Sequence, residues 1–172
     1  LSLLGLAFAA LSALAYYRAG TSVERLYLAA SLLLASGFFD AVDGAMARRY
    51  KEATRFGGVL DSILDRVGEI FIYLGIVIGG LASFEVGVVA LSFSLMVSYV
   101  RARAEAEGLK LSGVGFAERP ERLLILAIAS FANNVQVGLI VIALASIFTM
   151  IQRIIYAYKK LKDINFRRGW NG

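Results

Sequence analysis

Apolar residues gather along this chain in six long stretches, separated by short polar ones. The stretches fall at 3–17, 26–48, 56–81, 84–105, 121–132 and 135–158. Runs this long and this poor in charge predict α-helices that cross a membrane, each span needing roughly 20 residues. The first and fifth are the shortest. "GGLASFE" at 79–85, between the third and fourth, and "NNVQ" at 133–136, between the fifth and sixth, read as tight turns. Pro120, the only proline, stands just before the fifth helix, a position that suits helix initiation. There is no internal repeat and no low-complexity tract. The pattern therefore predicts an all-α polytopic membrane protein with six transmembrane helices, forming a single domain over 1–172.

Composition agrees with this pattern. Of 172 residues, 59% are hydrophobic, and the mean hydropathy is +0.71, more than a soluble domain of this length carries. Cysteine and histidine are absent. That excludes a disulfide framework, thiol chemistry, imidazole acid–base work and His metal sites, so any metal must be held by oxygen and be hard: Mg²⁺, Mn²⁺ or Ca²⁺. The chain begins with Leu rather than Met, and a longer N-terminal part is expected. The first apolar run lacks the basic leader and small-residue cleavage site of a signal peptide.

Charge then sets an orientation. Most of the 18 basic residues fall after helix 2 (Arg48, Arg49, Lys51, Arg55), between helices 4 and 5 (Arg101, Arg103, Lys110, Arg119, Arg122) and in the last stretch (Arg153 to Arg168). These segments share one side, so both termini are predicted to be cytoplasmic. Arg18 and Arg25 fall on the other side, and Arg66 within helix 3. The basic run from Lys159 to Arg168 is expected to touch anionic headgroups.

The acids lie where a bilayer disfavours them. Asp40 and Asp43 are near the end of helix 2, and Asp61, Asp65 and Glu69 near the start of helix 3. At ~1.5 Å rise per residue, both aspartate pairs reach ~12 Å or less below the cytoplasmic interface. Spacings of i, i+3 and i, i+4 put each pair on one helix face, so if helices 2 and 3 pack side by side, four carboxylates converge. Such charges need protons or divalent cations, and two oxygen pairs suit two Mg²⁺ or Mn²⁺ ions clamping a phosphoryl transfer. Gly44, Ala47, Gly57 and Gly58 leave room beside them, and Arg48 is close enough to pair with a phosphate oxygen. For Arg66 and Glu69 a structural charge network with the aspartates is the preferred reading.

The residues Asp40, Asp43, Gly44, Ala47, Arg48, Gly57, Asp61 and Asp65 spell D-x-x-D-G-x-x-A-R-x₈-G-x-x-x-D-x-x-x-D. This resembles the signature of the CDP-alcohol phosphotransferase family, whose members displace CMP from a CDP-linked alcohol, often a lipid, with an acceptor hydroxyl. The resemblance implies a six-helix, usually dimeric membrane enzyme with its site at the cytoplasmic face of the cytoplasmic membrane. It implies Asp40, Asp43 and Asp61 as metal ligands. Asp65 would complete that set and serve as general base. Gly44, Ala47, Arg48 and Gly57 would line the CDP pocket. The amphipathic segment and Pro–Asn element that usually precede the first helix are not in this sequence. The stretch "RARAE" at 101–105 with "ERPER" at 118–122 further resembles the acceptor region of inositol-phosphate-using members. Arg101, Arg103, Arg119 and Arg122 are therefore expected to bind an acceptor phosphate, although Arg101 and Arg103 splay by about 200° and cannot both face one pocket directly. The expected reaction joins a CDP-diacylglycerol or CDP-archaeol donor to a phosphorylated polyol, inositol phosphate first and glycerol phosphate second. No nucleic-acid partner is expected. The alternatives from other classes are a divalent-cation transporter or channel, which would carry acids through the whole membrane depth, and a prenyltransferase, which would carry D-D-x-x-D motifs.

Overall fold

In a computed structural model describing residues 2–49, 54–111 and 113–167, the chain is all-helical. The helices are α1 (Ser2–Tyr17), α2 (Val23–Arg49), α3 (Arg55–Ile78), α4 (Phe84–Ala106), α5 (Arg119–Phe131) and α6 (Val135–Arg167). Their boundaries follow from capping chemistry. Thr54 accepts a hydrogen bond from Gly57 N at the start of α3, and Ser83 from Val86 N at the start of α4. Pro120 sits in the first turn of α5. The ends of α3, α4 and α5 share one device: Gly80, Gly108 and Asn133 adopt positive φ, and the next amide reaches back to Ile76, Ala104 and Ala129. This turn stops α3 at Ile78, three residues short of the apolar run's end.

Three helical segments, Val23–Met46, Phe84–Ala106 and Val135–Ile164, are long and apolar enough to cross a membrane, and Leu3–Tyr17 is a shorter apolar helix. Side chains such as Phe84, Ile128, Leu144 and Phe148 are largely exposed on the outside, while serines and tyrosines lie within. Ser12 donates to Ala29 O, Ser36 donates to Gly5 O, and Tyr16 and Tyr73 pair with Ser130 and Ser94. An apolar exterior with polar groups bonded between helices is the arrangement of a protein in lipid.

The packing differs from a side-by-side pair of α2 and α3. Helix α1 packs extensively on both, whereas α2 and α3 scarcely meet. Glycines permit this: a Cβ at Gly75 would collide with the Ala13 carbonyl, and one at Gly79 with the backbone of Tyr16 and Tyr17, so α3 lies directly on the α1 backbone. On the other side α4 packs on α6, and α5 joins the two groups through α2 and α6. Helix α6 also continues past the apolar run to Arg167. Tyr156, Ala157, Leu161 and Ile164 cover a small cluster of Ala104, Leu109 and Leu111, so the basic tail has a packed face as well as a charged one.

Candidate active site

Two adjoining cavities open among α2–α6. The smaller, about 380 Å³, is bordered by Asp40, Asp61, Asp65 and Arg119 with apolar residues of α2 and α5. The larger, about 910 Å³, is bordered by Asp65, Arg101, Glu118, Arg119, Arg122 and Arg153 among others. Asp65, Arg119 and Pro120 border both.

At the junction, Arg119 Nη1 donates to Asp40 Oδ2 and to Asp65 Oδ1, each at 2.6 Å. Three helices make this possible. Asp40 comes from α2 and Asp65 from α3, while Arg119 begins α5. Helix α1 contributes by absence, since a Cβ at Gly5 would collide with the Asp40 carboxylate. Phe8 stacks on Phe39 at 5.0 Å beside it. Asp43 is half-buried one turn further along α2 and borders neither cavity.

The donors available to a metal are oxygens alone. They suit a hard divalent ion, and a positive group already stands between two of them. Among the described residues no three acids stand close enough together to hold an ion; the position between Asp40 and Asp65 is filled by the Arg119 guanidinium. Gly58 borders the larger cavity, whereas Gly44 and Gly57 border neither. Ala47 and Arg48 belong to α2, but their side chains lie outside the described residues.

The arginines divide. Arg122 is 2% exposed. Its guanidinium is committed to Glu69 at 2.8 and 2.9 Å and to Ala117 O at 2.8 Å. Glu69 thus pairs with an arginine of α5 and not with the aspartates, and Arg66 lies 3.8 Å from Asp65 while donating to Ser62 O. Arg103 is absent from the cavity walls and pairs with Glu107 on the exposed side of α4. Arg101 does border the larger cavity and contacts Glu105 and Glu118. The splay of Arg101 and Arg103 expected from helix geometry is what separates them.

Sequence reasoning missed Arg153. It was grouped with the basic tail, yet it is 1% exposed and borders the larger cavity. It donates to Val97 O, Val114 O and Glu118 Oε1. Thr149, one turn earlier, accepts from Phe116 N and Ala117 N, so α6 fixes the loop that delivers Glu118 and Arg119. The available signal was a single arginine inside "TMIQRIIYA", an apolar run where a charge needs a reason.

Acids and arginines thus line two adjoining cavities in a bundle with three helices long and apolar enough to cross a membrane, a setting that suits anionic substrates met at a bilayer. The model of CDP-alcohol phosphatidyltransferases matches residues 1–151, and the chain belongs to that family. It is 47% identical over 150 residues to archaetidylinositol phosphate synthase of Methanothermobacter thermautotrophicus, covering 84% of this chain and 76% of that one. It is 41% identical over 128 residues to phosphatidylinositol phosphate synthase of Mycobacteroides abscessus, covering 67% and 58%. The crystal structure of Mycobacterium tuberculosis phosphatidylinositol phosphate synthase with CDP-DAG bound superposes with a TM-score of 0.77 at 31% identity, covering 91% of this chain and 84% of that one. The same enzyme in complex with manganese and citrate gives 0.75 at 32%, covering 91% and 80%. Family membership selects the transferase over the transporter and prenyltransferase alternatives.

Proposed function

We propose that this chain transfers the phospholipid moiety of a CDP-linked lipid, CDP-archaeol or CDP-diacylglycerol, to a hydroxyl of an inositol phosphate, releasing CMP. The observation that carries the acceptor is the set of arginines, Arg101, Arg119, Arg122 and Arg153, around one cavity that adjoins Asp40 and Asp65. Guanidinium forks suit a dianionic phosphate, and a neutral polyol offers them only uncharged hydroxyl acceptors, which bind more weakly.

Asp40, Asp43, Asp61 and Asp65 would hold the metal, Mg²⁺ or Mn²⁺ and two ions in our reading. When bound, it supplies neutralisation of the diphosphate and of the charge that develops on departing CMP. Gly44, Ala47, Arg48 and Gly57 would contact the CDP portion. Asp65 takes the proton from the acceptor hydroxyl. The acceptor oxygen bonds the lipid-side phosphorus, and the bond from that phosphorus to the oxygen of CMP breaks. Arg101 and Arg119 hold the acceptor's phosphate in the larger cavity. Arg122 and Arg153, tied to Glu69 and Glu118, set the positive field and shape around it. Arg103 belongs to the same stretch of sequence but faces away from the cavity, on the exposed side of α4.

We read all six helices as embedded in the cytoplasmic membrane, with both termini and the site on the cytoplasmic face and the chain paired with a second copy. A site at that depth leaves lipid tails in the bilayer while a soluble acceptor enters from water. The test is transfer, followed as CMP release, to inositol 1-phosphate, glycerol 3-phosphate, free inositol and serine. Inositol 1-phosphate is expected to give the highest kcat/KM. Preference for glycerol 3-phosphate would change the polyol, and preference for an unphosphorylated acceptor would overturn the reading.

A further inference from the structure

We propose that Arg119 is a displaceable counter-ion of the acid site, holding Asp40 and Asp65 together and yielding that seat to divalent metal, after which it turns into the larger cavity toward the acceptor's phosphate. This rests on the reading of the aspartates as metal ligands.

The geometry sets metal and Arg119 in competition. A single nitrogen, Nη1, touches an oxygen of each carboxylate at 2.6 Å. Mg²⁺ approaches such oxygens to about 2.0–2.1 Å, so an ion bridging these two oxygens takes the same space, and its charge repels the guanidinium. The seat also fits Arg119 imperfectly, because its Nε is buried with no hydrogen-bond partner. A second environment lies within a side-chain rotation: Arg119 borders both cavities, and the backbone before it is held by Thr149 and Arg153 of α6. No helix has to move.

Two consequences follow for the reaction. While Arg119 is docked, it is withheld from phosphate. Metal entry frees it for the acceptor, which orders binding as metal first and acceptor second. Because coupling between sites is reciprocal, an acceptor phosphate that captures Arg119 must also tighten metal binding.

The test is Mn²⁺ affinity of the purified full chain in detergent, read from loss of the free-ion electron paramagnetic resonance signal. Arg119→Gln is expected to bind Mn²⁺ on the order of tenfold more tightly, within the ~5–150-fold range of such couplings. Inositol 1-phosphate is expected to tighten Mn²⁺ in the parent and not in the variant. Should Arg119→Gln fail to fold, Arg119→Lys carries the test. A lysine is one bond shorter and carries its nitrogen less far between the two carboxylates, so its Mn²⁺ affinity must exceed the parent's. Unchanged or weaker Mn²⁺ binding in the folded variant overturns the proposal. Asp40→Asn distinguishes the two levels. If it binds Mn²⁺ like the parent, the metal-ligand reading itself fails. If it loses Mn²⁺ while Arg119→Gln gains nothing, only the counter-ion role fails.

Discussion

The acid end of the site and the arginine end solve opposite problems. At the acid end, Asp40, Asp61 and Asp65 border one cavity, and the arginines beside them are Arg119, shared by Asp40 and Asp65, and Arg66, 3.8 Å from Asp65, so negative charge exceeds the fixed positive charge there. At the arginine end, Arg122 and Arg153 are buried, and each is held by its own glutamate and by backbone carbonyls. One end is left short of cations. The other is fully bonded before any substrate arrives, which is what electrostatic preorganisation requires. The difference teaches which part of the catalytic charge is built into the chain and which part must bind from solution.

Removing an acid breaks the comparison most severely. Asp40→Ala, Asp43→Ala and Asp61→Ala are each expected to abolish CMP release under buffered Mg²⁺ or Mn²⁺. One lost electrostatic group already costs ~10²–10³-fold in rate, and loss of metal exceeds that. Asp65→Asn should lose transfer while still binding the CDP-linked donor in an equilibrium assay. Parent-like turnover in any of these would remove that residue from the site.

The arginine end is expected to answer in stability as much as in rate. Glu69→Gln leaves Arg122 as a buried guanidinium without its anion. Breaking such a pair costs ~3–5 kcal/mol, measured by denaturant unfolding in a fixed detergent. The double change Glu69→Gln with Arg122→Met removes the stranded charge and should recover a good part of that loss. If the single variant proves as stable as the parent, Arg122 is not dependent on Glu69, and the contrast between the two ends fails.

Legibility in the sequence followed the same division. The acid end lies within 40–65, on two consecutive helices, so spacing picked out its acids, but not that Arg119 stands between Asp40 and Asp65 or that Asp43 borders neither cavity. The six helices were legible because apolar runs and caps are local; α3 ended early at Gly79–Gly80, and α6 outran its apolar run because its tail has a cluster to cover. The arginine end was only half legible. Its members come from α4, α5 and α6, and whether an arginine faces a cavity depends on partners far along the chain, as with Glu69 and Arg122, or Glu118 and Arg153. Helix α1 was the least legible. Nothing about Gly5 or Ala13 in isolation says that this short helix separates α2 from α3 and makes room for Asp40.

The smallest expected effect marks where the arginine end stops. Arg101 and Arg103 are two residues apart on α4, about 200° around the helix. Arg101 borders the larger cavity, while Arg103 pairs with Glu107 and is 61% exposed. Arg101→Gln should therefore raise the acceptor KM by about 10–100-fold, the equivalent of the ~1.5–3 kcal/mol of a charged hydrogen bond, with the donor KM little changed. Arg103→Gln removes the same charge from nearly the same place in the sequence, at a position facing solvent. Surface pairs of this kind contribute ~0–1 kcal/mol, so both KM values should stay within about twofold of the parent. The pair of variants separates direction from charge. If the cavity worked only as a diffuse positive field, the two substitutions would raise the acceptor KM alike, and more so at low salt. A large difference between them means that the acceptor phosphate is held by guanidinium groups with defined orientation. Equal effects would extend the arginine end over the whole C-terminal end of α4 and return Arg103 to the acceptor site.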